Sequence, residues 1–591
     1  MKTFFSILFC VFFYFNLSAV EIFVSPDGKS LNEGLREARE LRRTGKVAAN
    51  EPVKITLKGG VYSLYEPLFI RPEDNGTENS PTIFEAVVGE NATISGGVRI
   101  TGWKREGKFF TATVPEFNGT DFNFRQMWVN GKKAVRARNV ADFSKMDRII
   151  RNDKDNQILW VPASSVKKIQ KAKNAELIIH QMWEIAILRI KSIDIQGDSA
   201  AVRFHNPESR IQFEHPWPQP FTKPGFMSAF YLTNALELLD EAGEYYFDKA
   251  KRKLYYLPLP SENMNTAEVF VPYLENLVEI TGTIDHPVQH VYFKNVNFSH
   301  SGWTRPSEKG HVPLQAAMYL IDAYKLRPPG APGNQNKGIE NQAWIGRPAA
   351  AVRILAADNC VFDGCKFEHL GGSGLDFEHA THYNTVKNSE FLDIAYNGLQ
   401  IGKFSDVGFE THLAYNPADR REICSHQLIS NNLIKDCGNE DWGSVGILAG
   451  YVSDTRIEHN EICEIPYSGI SVGWGWTKTV NCMKNNVIHA NYIHHYAKNN
   501  HDVAGIYTLS VQSKTEITEN RIDSISTSPY AHDPNHWYYL YTDEGSSFIT
   551  IKDNWCPAEK FLKNANGPGN TWENNGPMVS EEIKMKAGRK K

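Results

Sequence analysis

Acidic and aromatic side chains are densest between Gly438 and Ser547. That stretch holds Glu440-Asp441-Trp442, Gly473-Trp474-Gly475-Trp476, His501-Asp502 and Tyr507, then His536-Trp537-Tyr538-Tyr539 and Tyr541-Thr542-Asp543-Glu544. Two carboxylates flanking a bond, with flat rings beside them, are the parts that glycosidic chemistry requires. One acid protonates the leaving oxygen, the other attacks or activates water, and the rings stack on sugar faces. Asp543 stands out by register. Aligning Gly505-Ile506-Tyr507-Thr508-Leu509 with Tyr539-Leu540-Tyr541-Thr542-Asp543 puts it where Leu509, Gly473 and Gly450 stand in earlier segments. An outward acid replacing small or apolar residues at a strand end is a catalytic candidate; the plainer alternative is a solvated turn carboxylate.

Asp502 opens the preceding strand and is the second catalytic candidate, because neighbouring coils stack about 4.8 Å apart. Read alone it is an ordinary loop or capping residue. Glu440 and Asp441, two coils back, are possible supports. Trp474 and Trp476 are expected on one side of a strand, stacking on sugar, with burial in the core as the alternative. His501, Tyr507, Trp537, Glu544 and Asp441 complete the expected substrate contacts. The histidines His494-His495, His501, His532 and His536 show no regular ligand spacing, so no metal site is expected. No cofactor is expected either, a structural calcium ion being the one exception considered.

These residues need a scaffold, and the C-terminal half supplies a repeating one. Cys365-Lys366-Phe367 recurs as Ser389-Glu390-Phe391, and Gly374-Leu375 as Gly398-Leu399. Later copies read Asn432-Leu433-Ile434, Asn460-Glu461-Ile462, Asn491-Tyr492-Ile493, Asn520-Arg521-Ile522 and Asn554-Trp555. Short alternating strands at spacings in the twenties to thirties, without helical periodicity, describe a β solenoid. The reading is all-β: a right-handed parallel β-helix, its handedness taken from knowledge of the fold. Recurrent Asn residues fit side-chain ladders and left-handed turns.

Leu31 to Arg43 has a helical pattern and suits an end cap. From about Gly102 to Pro272 the repeat disappears and hairpin signals such as Asn130-Gly131 take over. The expected organisation is a signal peptide over 1–19 and a cap with first coils over 20–101. An inserted antiparallel, β-sandwich-like domain follows over 102–272, then the main helix with the catalytic face over 273–577 and a tail over 578–591. Long loops at Lys325–Pro348 and Lys403–Cys424 are expected beside a site. Seven cysteines beyond Cys10, an odd number, read as buried core residues rather than a disulfide framework.

Composition narrows the function. Apolar residues at 41% exclude wholesale disorder, and a net charge of −4 argues against a nucleic-acid partner. A charged start, the apolar run Phe4 to Leu17 and Ser18-Ala19 predict export, hence a secreted or periplasmic protein with no membrane span after cleavage. An oligo- or polysaccharide substrate and a monomeric state are expected.

Several motifs together resemble a known family. They are Phe23-Val24-Ser25-Pro26-Asp27-Gly28, Leu57-Lys58-Gly59-Gly60-Val61-Tyr62, Trp128-Val129-Asn130-Gly131-Lys132 and Glu241 to Asp248. The late pair, Asp502-Val503-Ala504-Gly505-Ile506-Tyr507 and Tyr541-Thr542-Asp543-Glu544-Gly545, is the most specific. Over nearly the whole mature chain the sequence is similar to glycoside hydrolase family 141. The resemblance implies hydrolysis by two aspartates, carried onto Asp502 and Asp543. It also implies α-L-fucosidase activity on complex pectin side chains, or xylan-directed activity. A pectin lyase built on Asp376, Glu378 and Arg420-Arg421, and a non-catalytic carbohydrate-binding protein, are the rival readings.

Overall fold

The computed structural model describes residues 19–117, 119, 122–326 and 341–590. The expected signal segment lies outside them except for Ala19, as do residues 327–340 of the loop at Lys325–Pro348. Among the described residues no helix is long and apolar enough to cross a membrane.

The chain winds through three parallel sheets. The first runs from Val20–Val24 to Thr571–Glu573, the second from Leu68–Ile70 to Phe561–Lys563, and the third from Gly60–Ser63 to Arg521–Asp523. Each coil contributes a strand to a sheet in turn, as Val503–Thr508, Val511–Thr518 and Arg521–Asp523 do near the end. Inward residues stack on like residues: Phe84, Phe293 and Phe362 form one ring ladder, and Phe298, Phe367 and Phe391 another. Such stacking buries apolar surface between like residues, which is why successive coils keep register. The seven described cysteines are unpaired and buried within these coils.

Polar groups at the corner between the first and third sheets are satisfied by a ladder of asparagines. The side-chain amide of Asn460 donates to Asn491 Oδ1 at 2.9 Å, Asn491 to Asn520 at 3.0 Å, and Asn520 to Asn554 at 2.9 Å. The left-handed residue of each turn is the one before the ladder Asn, namely His459, Ala490, Glu519 and Asp553. The ladder residues themselves are fully buried. The sequence expectation of Asn at both jobs therefore divides between two adjacent positions.

Leu31–Arg43 is a helix with a Ser30–Glu33 capping box, and Leu31, Leu35 and Ala38 cover the first coil. Between Gly97–Arg99 and Val269–Pro272 the chain leaves the helix. The largest sheet there is seven-stranded and antiparallel, centred on Glu176–Gln181, Glu184–Gln196 and Ser199–Phe204. A smaller five-stranded sheet contains one parallel pair, Val135–Arg136 with Glu244–Asp248. The inserted sheets meet the third sheet and the turns that leave it: the Trp128 indole N–H donates to Asp393 Oδ2 at 2.8 Å, Lys133 pairs with Glu440, and Ile187 is bridged to His311.

Candidate active site

Val503–Thr508 and Trp537–Thr542 pair in parallel on the second sheet, with Tyr507 opposite Tyr541. Asp502 sits in the loop leading into the first of these strands, and Asp543 in the turn leaving the second. Both line one cavity of about 370 Å³, with Tyr507, Tyr541, Glu544, Trp476 and Asn564. The two carboxylates enter from opposite ends of the strand pair, and tyrosines from alternate coils tie them in place. The Tyr507 hydroxyl donates to Asp543 Oδ2 at 2.5 Å, while the Tyr541 hydroxyl reaches Asp502.

The environments of the two acids differ. Burial pushes the Asp543 carboxyl up to about 6, and the nearby Asp502 and Glu544 charges add to this. The Tyr507 hydroxyl and the Asn564 amide, donating at 2.7 Å, pull the other way by stabilising the ionised form. Asp502 instead has an imidazole partner: His536 Nε2 lies 3.0 Å from its Oδ1, and that contact raises the His536 pKa. The Asp502 backbone is left-handed, with φ 59°, and is fixed by its N–H to His536 O and its carbonyl to the Tyr467 hydroxyl. Left-handed residues recur at the turns of this fold, so the conformation fits the coil geometry.

The rest of the wall comes from distant sequence. The inserted segment supplies Trp183 and Trp217, the strand Pro313–Gln315 supplies Leu314 and Gln315, and the loop at Lys403–Cys424 supplies His412. The Trp183 indole N–H donates to Leu314 O at 2.8 Å, and the Asn500 amide holds the Trp183 and Trp442 carbonyls at 2.7 Å each. Tyr467 and Tyr541 were not among the expected contacts, although Tyr541 was visible as the register neighbour of Tyr507. Asn564 was accessible by the same logic, because extending the alignment one coil sets it beside Asp543. His412 lies in the long loop expected beside a site, whereas Trp183 and Trp217 carry no local signal.

Four expected contacts are corrected. Trp474 is fully buried: its N–H donates to Thr411 Oγ1 at 2.7 Å and its ring meets Phe404 and Trp476 edge-on. The two tryptophans do not share a strand face, because Gly473 and Gly475 are both left-handed and turn the chain between them. His501 is buried behind Asp502, its ring 4.0 Å from that of His532, and neither of its nitrogens has a hydrogen-bond partner. Asp441 is inaccessible, bonded to His311 Nε2 at 2.5 Å and facing Glu184 of the insertion. Trp537 packs on Tyr539 beneath the Lys560 ammonium and does not line the cavity. The lyase constellation does not assemble: Asp376 is ion-paired with Arg347, Glu378 with Arg353 and Arg421 with Asp285.

A solved structure described as a glycoside hydrolase is 55% identical, covers 97% of this chain and 99% of its own length, and has a TM-score of 0.94. XylC in complex with xylose is 10% identical over 95% of this chain and 86% of its own, with a TM-score of 0.44. The periplasmic alginate epimerase AlgG is 13% identical over 49% and 58%, with a TM-score of 0.27. These two are too distant to bear on the site. No curated protein matches. The coils and the neighbour spanning them define a glycoside hydrolase built on a parallel β-helix. The family model for the GH141 insertion domain matches residues 107–259, and the chain belongs to glycoside hydrolase family 141.

Proposed function

We propose that this glycosidase releases terminal α-L-fucose from complex pectin side chains outside the cytoplasm, using Asp543 as general acid and Asp502 as nucleophile or base. The observation that carries the reading is the pairing of two unlike carboxyls in one cavity. Asp543 is pushed up to about 6, and Asp502 is set against His536. A carboxyl whose proton is retained by burial suits the role of acid, which leaves the other carboxylate as nucleophile or base. Asp543 gives its proton to the glycosidic oxygen, and the Tyr507 and Asn564 donors then stabilise the carboxylate left behind. Those bonds strengthen as charge develops, which is the differential stabilisation catalysis requires. Asp502 acts on the anomeric carbon or on water from the other side. A cavity of about 370 Å³ suits one terminal residue rather than a long chain segment. Leu314, Trp183 and Trp217 offer apolar surface for the methyl group of a 6-deoxy sugar. The choice of fucose itself rests on the family resemblance.

The test is monosaccharide release from pectin fragments and from an aryl α-L-fucoside with a good leaving group. Asp502→Asn is expected to lose both activities by about 10²-fold or more. Asp543→Asn should lose the natural substrate by a similar factor and be spared on the aryl fucoside, which needs no proton. Equal losses on both substrates would remove Asp543 as the acid, and release of xylose rather than fucose would replace the substrate.

A further inference from the structure

The outer side of the third sheet carries a cluster that the hydrolytic chemistry does not use. Glu461–Cys463 and Tyr492–His494 pair in parallel, with Cys463 opposite His494. The Glu461 carboxylate, the Cys463 thiol and the His494 imidazole place donor atoms within 4.8 Å of one another. Glu461 Oε1 and His494 Nε2 are 3.4 Å apart. Zinc–nitrogen and zinc–oxygen bonds of about 2.0–2.1 Å in a tetrahedron set their ligand atoms roughly 3.4 Å from each other. That edge is therefore already at the spacing of two ligands on one ion, and is long for a hydrogen bond.

The supporting contacts fit the same purpose. His494 Nδ1 lies 2.6 Å from His495 Nδ1, which fixes the ring and leaves Nε2 turned toward Glu461. A metal-binding histidine is held through its other nitrogen in this way. Cys463 is 5% exposed, whereas Glu461 and His494 are partly exposed, so a fourth position opens to solvent. A thiolate and a carboxylate together balance a divalent charge. Lys435, next to Cys463 in register, opposes the ion, and Lys498 is neutralised by Glu464. We propose that Glu461, Cys463 and His494 bind one divalent transition-metal ion of the zinc class, with water as fourth ligand, clipping two coils together away from the catalytic cavity.

Reduced, chelator-treated full-length protein titrated with Co²⁺ tests this. One equivalent should produce thiolate-to-cobalt absorption and the intense visible bands of a tetrahedral ion, both displaced by Zn²⁺. Cys463→Ser should abolish the thiolate band, and His494→Gln should abolish stoichiometric binding. His495→Phe removes no ligand and should weaken Zn²⁺ affinity by about 10–100-fold. The thermal midpoint of each apo variant reports folding separately. Absence of a thiolate band in folded wild type, its survival in Cys463→Ser, or unchanged affinity in His495→Phe would each overturn the site.

Discussion

Asp543 couples the chemistry to stability through one proton. Its carboxyl titrates near 6 in the fold against 3.8 in the free state, because burial disfavours the charge. Between about pH 4 and 6 the folded chain holds a proton that the unfolded chain has lost, so stability falls as pH rises through that window. Two units correspond to about 3 kcal/mol at neutrality. Asp543→Asn keeps an acceptor for Tyr507 but turns an amide N–H toward the Asn564 donor, so the variant should gain up to that amount of stability relative to wild type on going from pH 4 to pH 7. Calorimetry at the two pH values checks the sign; an equal difference from wild type at both would mean the charge is not responsible. The same titration should make hydrolysis of the natural substrate decline above about pH 6. The neighbouring tryptophans separate packing from binding. Trp474→Ala opens a buried void and should cost about 3–5 kcal/mol, whereas Trp476→Ala, at a ring only partly buried against Trp474 and His412, should cost less and also raise KM.

Strands and corners explain why the acids are held so firmly. In the asparagine ladder each amide serves two coils, so Asn491→Ala strands the backbone N–H of Asn460 and one of its two side-chain N–H groups, the other staying on Ile429 O. Two buried donors without partners predict a loss of about 2–5 kcal/mol. Glu516→Ala, on the solvent side of the next coil, should stay within about 0.5 kcal/mol. Chemical denaturation of both variants distinguishes a ladder from incidental polar burial. At Gly475, a left-handed backbone and the Tyr451 hydroxyl, 2.0 Å from where a Cβ would sit, exclude any side chain. That turn sends Trp474 into the core and Trp476 to the cavity.

At the scale of the whole molecule, the insertion completes a site whose acids lie on the helix. Trp183 and Trp217 are contributed from segments some 300 residues before Asp502, and Asn500 clamps Trp183 in place. Trp217→Ala should therefore weaken substrate binding by about threefold to tenfold while turnover at saturation persists, as steady-state kinetics on the aryl fucoside will report. A fall in turnover alone would instead place Trp217 in the chemistry. The buried Asp441–His311–Glu184 contact belongs to this level too: it joins the insertion to the coils rather than touching substrate.

The repeat, the end cap and the outward placement of Asp543 were legible in the sequence because stacked coils convert periodic spacing into spatial register. Given that register, Tyr507 beside Tyr541 and Asn564 beside Asp543 follow by counting residues. Counting does not say which outward residues meet solvent and which meet another part of the chain. Trp474, His501, Asp441 and Trp537 read as substrate contacts, and packing by loops and neighbouring strands withdraws them from the cavity. Only the folded chain decides that, since contacts between the insertion and the helix join residues hundreds of positions apart and depend on shape, not on period.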